Sequence, residues 1–161
     1  MTKEKYVWGL LRIAIGWIFI WAFFDKLLGF GFSTASGKAW INGISPTYGF
    51  LKAGTHGPLA TFYQSIAGVS AIDWLFMLGL LFVGATLLFG IMTRAGSVAG
   101  IAMLFLMYSA LILPTTNPIL DEHLIYILIL IGVIMTEAGE YIGFGKWWAN
   151  TSLVKKYRFF R

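Results

Sequence analysis

Residues 6–24 read YVWGLLRIAIGWIFIWAFF, an apolar run of 19 residues that contains one charged residue, Arg12. With about 1.5 Å of rise per residue, this run forms a helix of about 28 Å, which matches the hydrocarbon thickness of a bilayer. It is too long for the apolar part of a cleaved signal peptide, and no small-x-small site closes it. The run therefore predicts an uncleaved first transmembrane helix that reaches to about residue 26.

Three further apolar segments have the length of a membrane-spanning helix. Residues 74–92 and 95–113 contain 19 residues each, and the last segment runs from about 118 to 142. Asn117 is placed to cap this last helix, and Pro118 suits its first helical position. The very short turn between the second and third segments predicts an antiparallel hairpin. The sequence thus predicts an all-α membrane protein: a single domain that forms a four-helix transmembrane bundle.

The composition excludes a soluble domain and several cofactors. Of the 161 residues, 58% are hydrophobic and only 12% are charged, which is too little charge to cover a water-soluble protein of this size. The absence of cysteine excludes disulfides, thiolate nucleophiles, iron–sulfur ligation and covalent haem attachment. The two histidines are His56, interpreted as an ordinary loop residue, and His123. We therefore expect no haem, no iron–sulfur cluster and no metal.

The positive charge is concentrated at the two ends of the chain. A net charge of +5 would suit nucleic acid, but five of the twelve basic residues lie in the last sixteen positions. Basic ends that flank apolar spans favour the lipid bilayer as partner and not nucleic acid. With both termini in the cytoplasm, nine basic residues are inside, and Lys26, Lys38 and Lys52 are outside. This distribution predicts a multi-pass plasma-membrane protein with a cytoplasmic basic tail, residues 146–161.

A long extracytoplasmic loop, residues 29–71, connects helices 1 and 2 of this bundle. A loop of more than about 15 residues is usually functional or disordered, and the many aromatic residues here argue against disorder. After Pro58, apolar residues recur at helical spacing, namely Leu59, Phe62, Tyr63 and Ile66. They predict a short amphipathic helix that either lies on the membrane surface or caps the outer mouth of the bundle.

Ionisable residues inside the spans predict two polar layers. Arg12 and Lys26 lie fourteen residues apart on one stripe of the first helix, as do His123 and Glu137 on the last. The stripes also contain Gly16, Phe19 and Phe23, and Tyr126, Leu130 and Val133, respectively. If these helices are antiparallel neighbours, Arg12 is level with Glu137 and Lys26 is level with His123. We predict that Arg12 and Glu137, with Glu140 as a further candidate, form a structural ion pair that mainly fixes helix register.

The outer layer is the candidate catalytic site. Its main members are Lys26, His123 and Tyr126, joined by Asp25, Asp73 and Glu122. Such a set either holds an anion through Lys26 or hydrogen-bonds a quinone headgroup while His123 passes protons. The alternative is a solvated helix rim without a ligand.

Short motifs follow one another along nearly the whole chain. They are LRIAIGWIF (11–19) with FDKL (24–27), WING (40–43) with SPT (45–47), DWLFMLG (73–79), NP (117–118) with Asp121 and HLIY (123–126), AG (138–139), and GFGKWW (143–148). In this order they resemble the DoxX family of small four-helix membrane proteins from bacteria and archaea. Relatives in that family include the DoxD-type membrane subunits of thiosulfate:quinone oxidoreductase, which work with a DoxA-type partner.

The resemblance implies a membrane subunit of a quinone-linked oxidoreductase that acts on thiosulfate or a related reduced sulfur compound. The chain ends in a short basic tail after Trp148, so a DoxA-like or other redox subunit is expected as a separate protein. A second hypothesis is a non-catalytic membrane scaffold that recruits a redox partner through the external loop. A transporter is less favoured because four short helices give no continuous polar path, which only a homo-oligomer would offer.

Overall fold

The computed structural model describes residues 2–112, 114, 117 and 119–160, with the backbone alone for Arg158, and every regular element in these ranges is helical. The α-helices are α1 (Lys3–Leu28), α2 (Ala60–Ser65), α3 (Ser70–Phe89), α4 (Thr93–Ala110), α5 (Glu122–Met135), α6 (Gly145–Ala149) and α7 (Ser152–Lys156). Tighter 3₁₀ turns occupy Trp40–Asn42, Ala138–Glu140 and Arg158–Phe160, and Phe50–Gly54 forms a wider π turn. The predicted all-α class is confirmed for these residues.

The helices α1, α3, α4 and α5 form an antiparallel ring. Arg12, near the start of α1, donates a hydrogen bond to Leu87 O, near the end of α3. The α1–α3 and α4–α5 contacts are the most extensive, and smaller α3–α4 and α1–α5 contacts close the ring. The first and last long helices are therefore neighbours, as the polar-layer prediction requires. The start of α1 and the residues that follow α5 lie at one end of the ring, here called the termini end.

The predicted stripes of α1 and α5 face the interior except at Glu137, which lies beyond the end of α5 and is exposed. On α1, Arg12, Gly16 and Phe19 are buried, and on α5, Leu130 and Val133 are buried. The core around them also contains Ile15, Met77, Leu80, Val83, Leu87, Leu104 and Ala138. Helical periodicity was therefore sufficient to identify the inward face of both helices.

Helices α1 and α3 pack closely at Gly84. A Cβ atom at Gly84 would lie 2.6 Å from the backbone nitrogen of Ile20, so only glycine allows this approach. Close contact between backbones is typical of helix pairs that cannot rely on expulsion of water to associate. By length and composition, α1 and α3 are the two helices of the described chain that are long and apolar enough to cross a membrane.

We expect Gly84→Ala to destabilise the protein by about 1–3 kcal/mol, because the added methyl group must push the two backbones apart. Gly49→Ala is the matched control, since a Cβ atom there has no neighbour within 4 Å and its φ of −59° suits alanine. Thermal unfolding of the purified proteins measures the effect. Equal midpoints for the two variants would contradict the close packing.

Helix α5 is shorter than the predicted span 118–142. Its N-cap is Asp121, whose Oδ1 accepts a hydrogen bond from Leu124 N at 3.1 Å. Asn117 instead accepts hydrogen bonds from the amides of Ile119 and Leu120, both at 3.0 Å, and forms a separate turn. At the other end the helix stops before Glu137, whose φ is +52°. The predicted helix start at Pro118, the predicted end of the third span at residue 113 and the last residue of the basic tail, 161, lie outside the described residues.

The long connection between α1 and α3 is folded, and residues 29–69 are here called the cap. The predicted amphipathic helix is present as α2, and its Tyr63 side chain packs on Leu51 and Ala110. Tyr63 Oη also donates to Leu106 O at 3.1 Å, and His56 N donates to Ala110 O at 3.1 Å. Of the two alternatives for α2, these contacts favour a helix that covers the end of α4.

Candidate functional site at the cap end

Asp25 holds the first part of the cap. Gly29, with φ +70°, ends α1 and donates its N–H to Asp25 O, which reverses the chain. The Asp25 carboxylate then accepts hydrogen bonds from Ser33 Oγ at 2.7 Å, Thr34 N at 2.8 Å and Phe32 N at 3.3 Å. The residue is only 1% exposed. Its carboxylate is therefore engaged by the cap and is a structural anchor.

Asp73 holds the middle of the cap in the same manner. It lies in the first turn of α3 and is buried. Its Oδ1 accepts hydrogen bonds from Thr47 Oγ1 at 2.5 Å and Ser45 Oγ at 2.8 Å. Two buried carboxylates on neighbouring helices thus fasten the cap, because a buried carboxylate requires hydrogen-bond donors and hydroxyl groups supply them.

Lys26 lies beside the first anchor. Its side chain is half-buried, and Nζ is 3.5 Å from Ser33 Oγ, at the outer limit of a hydrogen bond. Ser33 in turn donates to Asp25, so Lys26, Ser33 and Asp25 form one connected group. The ammonium group of Lys26 is thereby placed next to the cap.

His123 forms a close pair with Asp121 at the start of α5. His123 is 7% exposed, and its Nδ1 lies 2.7 Å from Asp121 Oδ2. Asp121 uses its other oxygen to cap the helix at Leu124 N, which fixes the carboxylate in place. With Asp121 as an ionised acceptor, Nδ1 is the nitrogen that donates in this contact. Nε2 is then the atom of His123 that remains for exchange of a proton with a ligand.

Tyr126 and Glu122 flank this pair on α5. Tyr126 lies three residues after His123 on the same face and packs against the core, whereas Glu122 is exposed. Ligand atoms of Asp121, Glu122 and His123 lie within 4.8 Å of one another, a spacing that a cation could use. The expectation of no metal therefore stays a prediction.

The predicted outer layer is divided into two groups of contacts. Asp25, Lys26 and Asp73 contact the cap, and His123 contacts Asp121. In the described part of the chain, no hydrogen bond or ion pair joins Lys26 to His123. A single site that contains all six predicted residues stays a prediction.

Asp121 is the site residue that sequence reasoning did not select. The sequence contains a pattern that indicates it, because an aspartate just before an apolar run is a typical helix N-cap, and a residue two positions later can contact it. Ser45 and Thr47 lie within the SPT motif, but nothing in their spacing indicates that they contact Asp73.

At the termini end, Arg12 joins three segments. Its side chain is fully buried, with Nη1 donating to Leu87 O at 2.8 Å and Nη2 donating to Ile142 O. A Cβ atom at Gly90 would collide with the guanidinium, so the turn that follows α3 requires glycine at this position. The carbonyl of Leu87 belongs to the last turn of α3, where the helix dipole favours a positive charge. The predicted ion pair of Arg12 with Glu137 stays a prediction.

Aromatic side chains of the cap pack on α1 and α3. Phe30 and Phe32 lie 5.7 Å and 5.1 Å from the Trp21 ring, and Trp40 lies 4.6 Å from Trp74, as ring centroids. Phe32 and Trp74 remain largely exposed. The cap end therefore presents an apolar surface that is continuous with the outer faces of both helices.

Comparison with known proteins adds no relative: no family model, curated protein or solved structure matches this chain.

Proposed function

We propose that the chain is a four-span membrane protein of the DoxX type, with both termini in the cytoplasm and the cap outside. The support is the distribution of side chains between interior and exterior. Large apolar side chains are exposed on all four long helices, among them Trp17, Leu75, Phe105 and Leu128. Charged and polar side chains are buried instead, among them Arg12, Asp25, Asp73, Ser97 and His123. Lipid solvates such an exterior, whereas water does not.

The ring geometry extends this argument from two helices to four. Helices α4 and α5 complete one antiparallel ring with α1 and α3, so a membrane crossed by α1 and α3 has the other two at the same depth. Basic residues support the orientation, because Lys3, Lys5 and Arg94 accompany the basic C-terminal residues at the termini end. The positive-inside rule then puts that end in the cytoplasm.

Within this topology, the protein serves as the membrane subunit of a quinone-linked oxidoreductase that acts on thiosulfate or a related reduced sulfur compound. One observation supports a site for quinone on this chain: the buried His123, held by Asp121. A quinone accepts two electrons and two protons to become a quinol. The residues present fit this need, because a protonated His123 donates from Nε2 while Asp121 stabilises the charged imidazolium. Tyr126, one turn further along α5, is a second hydrogen-bond donor.

The electrons come from the sulfur compound. Two thiosulfate ions that form one new S–S bond release two electrons, which balances the reduction of one quinone with two protons. Since this chain has no cysteine, we assign the sulfur chemistry to a separate DoxA-like or other redox subunit. The chain's own part is to bind the quinone and supply protons.

We expect His123→Gln to slow thiosulfate-dependent quinone reduction at least about 100-fold, because general acid catalysis contributes about 10²–10⁴-fold. The assay uses purified membranes that contain the partner subunit. The matched control is His56→Gln, since His56 is the other histidine and lies in the cap. A wild-type rate in the His123 variant, with normal protein level, would contradict the assignment.

A membrane scaffold is the second candidate, and a specific observation favours it. Two of the three carboxylates of the predicted outer layer, Asp25 and Asp73, are engaged in holding the cap. The cap they hold exposes Phe32, Ile41 and Phe62, which suit contact with another protein. Inactivity of wild-type membranes, even with every neighbouring gene product supplied, would favour this scaffold over the oxidoreductase.

A further inference from the structure

The net charge of the protein resides in its last 21 residues. Residues 141–161 contain five basic residues and no acidic one, whereas residues 1–140 contain seven of each. The formal charge of +5 is therefore the charge of this short segment. Charge of one sign concentrated at one place indicates a partner of opposite sign.

The segment is folded against the termini end of the bundle. Phe144 N donates to Phe89 O at 2.9 Å, which joins the segment to the end of α3. Val154 of α7 is buried, and Trp148 Nε1 donates to Phe160 O at 2.5 Å. Residues 143–160 thus form a fixed element, here called the C-terminal plate.

The plate exposes amines beside aromatic rings. Lys146, Lys155 and Lys156 are exposed, and Lys156 Nζ lies 5.3 Å above the Tyr157 ring. Trp147 is 64% exposed, and Phe144, Leu153, Tyr157 and Phe159 of the plate are exposed as well. Aromatic rings mixed with lysines are typical of the layer between acyl chains and headgroups.

The plate is also continuous with the apolar exterior of the bundle. The Phe144 ring lies 6.5 Å from the ring of Phe89, an exposed residue in the last turn of α3. An apolar helix face therefore leads directly to exposed rings and then to lysines. This spatial order matches that of a lipid molecule, in which the acyl chains lead to a phosphate group. A soluble polyanion would contact the lysines but would leave the rings in water.

We propose that the C-terminal plate binds anionic phospholipids, with Lys146, Lys155 and Lys156 contacting their phosphate groups. This inference rests on the proposed membrane topology and is independent of the quinone chemistry. Each lysine near an anionic lipid surface contributes about 1 kcal/mol, or about a fivefold gain in affinity.

The test is a titration of the full-length, detergent-solubilised protein with short-chain phosphatidylglycerol and with phosphatidylcholine of the same chain length, followed by tryptophan fluorescence. The double variant Lys155→Gln/Lys156→Gln is compared with Lys38→Gln/Lys52→Gln, which removes the same charge from exposed positions in the cap. We expect wild-type protein to prefer phosphatidylglycerol. The plate variant should bind it about 30-fold more weakly, and the cap variant within about twofold of wild type.

Three results would overturn the proposal. They are equal wild-type affinity for the two lipids, an equal loss in the two double variants, and displacement of phosphatidylglycerol by a DNA oligonucleotide of matched charge at the same concentration. The last result would indicate a site for soluble polyanions. Unchanged phosphatidylcholine binding and thermal unfolding in the plate variant establish that it is folded. Loss of quinone reduction alone leaves the lipid preference intact, so the two proposals fail separately.

Discussion

Substitution of Arg12 by methionine should destabilise the protein by about 3–6 kcal/mol, because it removes two charge-assisted hydrogen bonds worth about 1.5–3 kcal/mol each. Methionine fills similar space but leaves the carbonyls of Leu87 and Ile142 without the guanidinium that they contact. The loss is the cost of buried acceptors without donors, which neither water nor lipid replaces in the interior. Equilibrium unfolding of the detergent-solubilised protein measures it.

The matched control is Arg94→Met, because Arg94 is exposed at the same end of the bundle. It loses the same charge and should unfold within about 0.5 kcal/mol of wild type. Arg12→Lys should recover only part of the stability, since an ammonium group lacks the planar fork that reaches two carbonyls. Equal stability of the Arg12 and Arg94 methionine variants would contradict the role of Arg12 in joining α1 to the end of α3 and to Ile142.

Substitution of Asp25 by alanine should release the first part of the cap. Three donors, Ser33 Oγ, Phe32 N and Thr34 N, lose their acceptor, and the local opening free energy should fall by about 3 kcal/mol. Amide hydrogen exchange at Phe32 and Thr34 should then become about 100-fold faster. Exchange within α4 should remain unchanged, because the anchor contacts lie on α1.

Glu122→Ala supplies the comparison for this result, as Glu122 is an exposed carboxylate on α5. Its removal should leave exchange in the cap at the wild-type rate. Asp25→Asn should give an intermediate rate, since its amide oxygen still accepts from one backbone N–H. Exchange at Thr34 that is the same in wild type and Asp25→Ala would refute the anchor.

Features that depend on helical periodicity could be predicted from the sequence. The inward stripe through Arg12, Gly16 and Phe19 follows from 100° per residue, and so does the stripe through Leu130 and Val133. The short helix after Pro58 follows from the same rule. These predictions concern one helix at a time, and each residue is placed relative to its own backbone.

The start of α5 was harder to predict because two signals compete. Asn117 followed by Pro118 is a good start for a helix, and Asp121 before an apolar run is an equally good one. Both side chains accept backbone hydrogen bonds, but Asn117 closes a turn and Asp121 caps the helix. Local sequence does not decide between them, since each side chain accepts from the backbone amides that follow it.

The contacts of the ionisable groups depend on tertiary structure. The acceptors that contact Arg12 are backbone carbonyls, which every residue carries, so no pattern of side chains indicates them. Asp73 contacts Ser45 and Thr47, which precede it by 28 and 26 residues in the sequence. The geometry of the cap determines these pairs, whereas the spacing of polar residues in the spans predicts only their depth.

The junction at Arg12 has a consequence for how the protein is made. During synthesis, Leu87 is added 75 residues after Arg12, and Ile142 is added 130 residues after Arg12. A nascent chain that ends before Ile142 therefore leaves Nη2 of Arg12 without its acceptor. The second hydrogen bond of Arg12 therefore forms only after α5 has been synthesised, so the contact that joins the first helix to the segment after the last long helix comes late in synthesis.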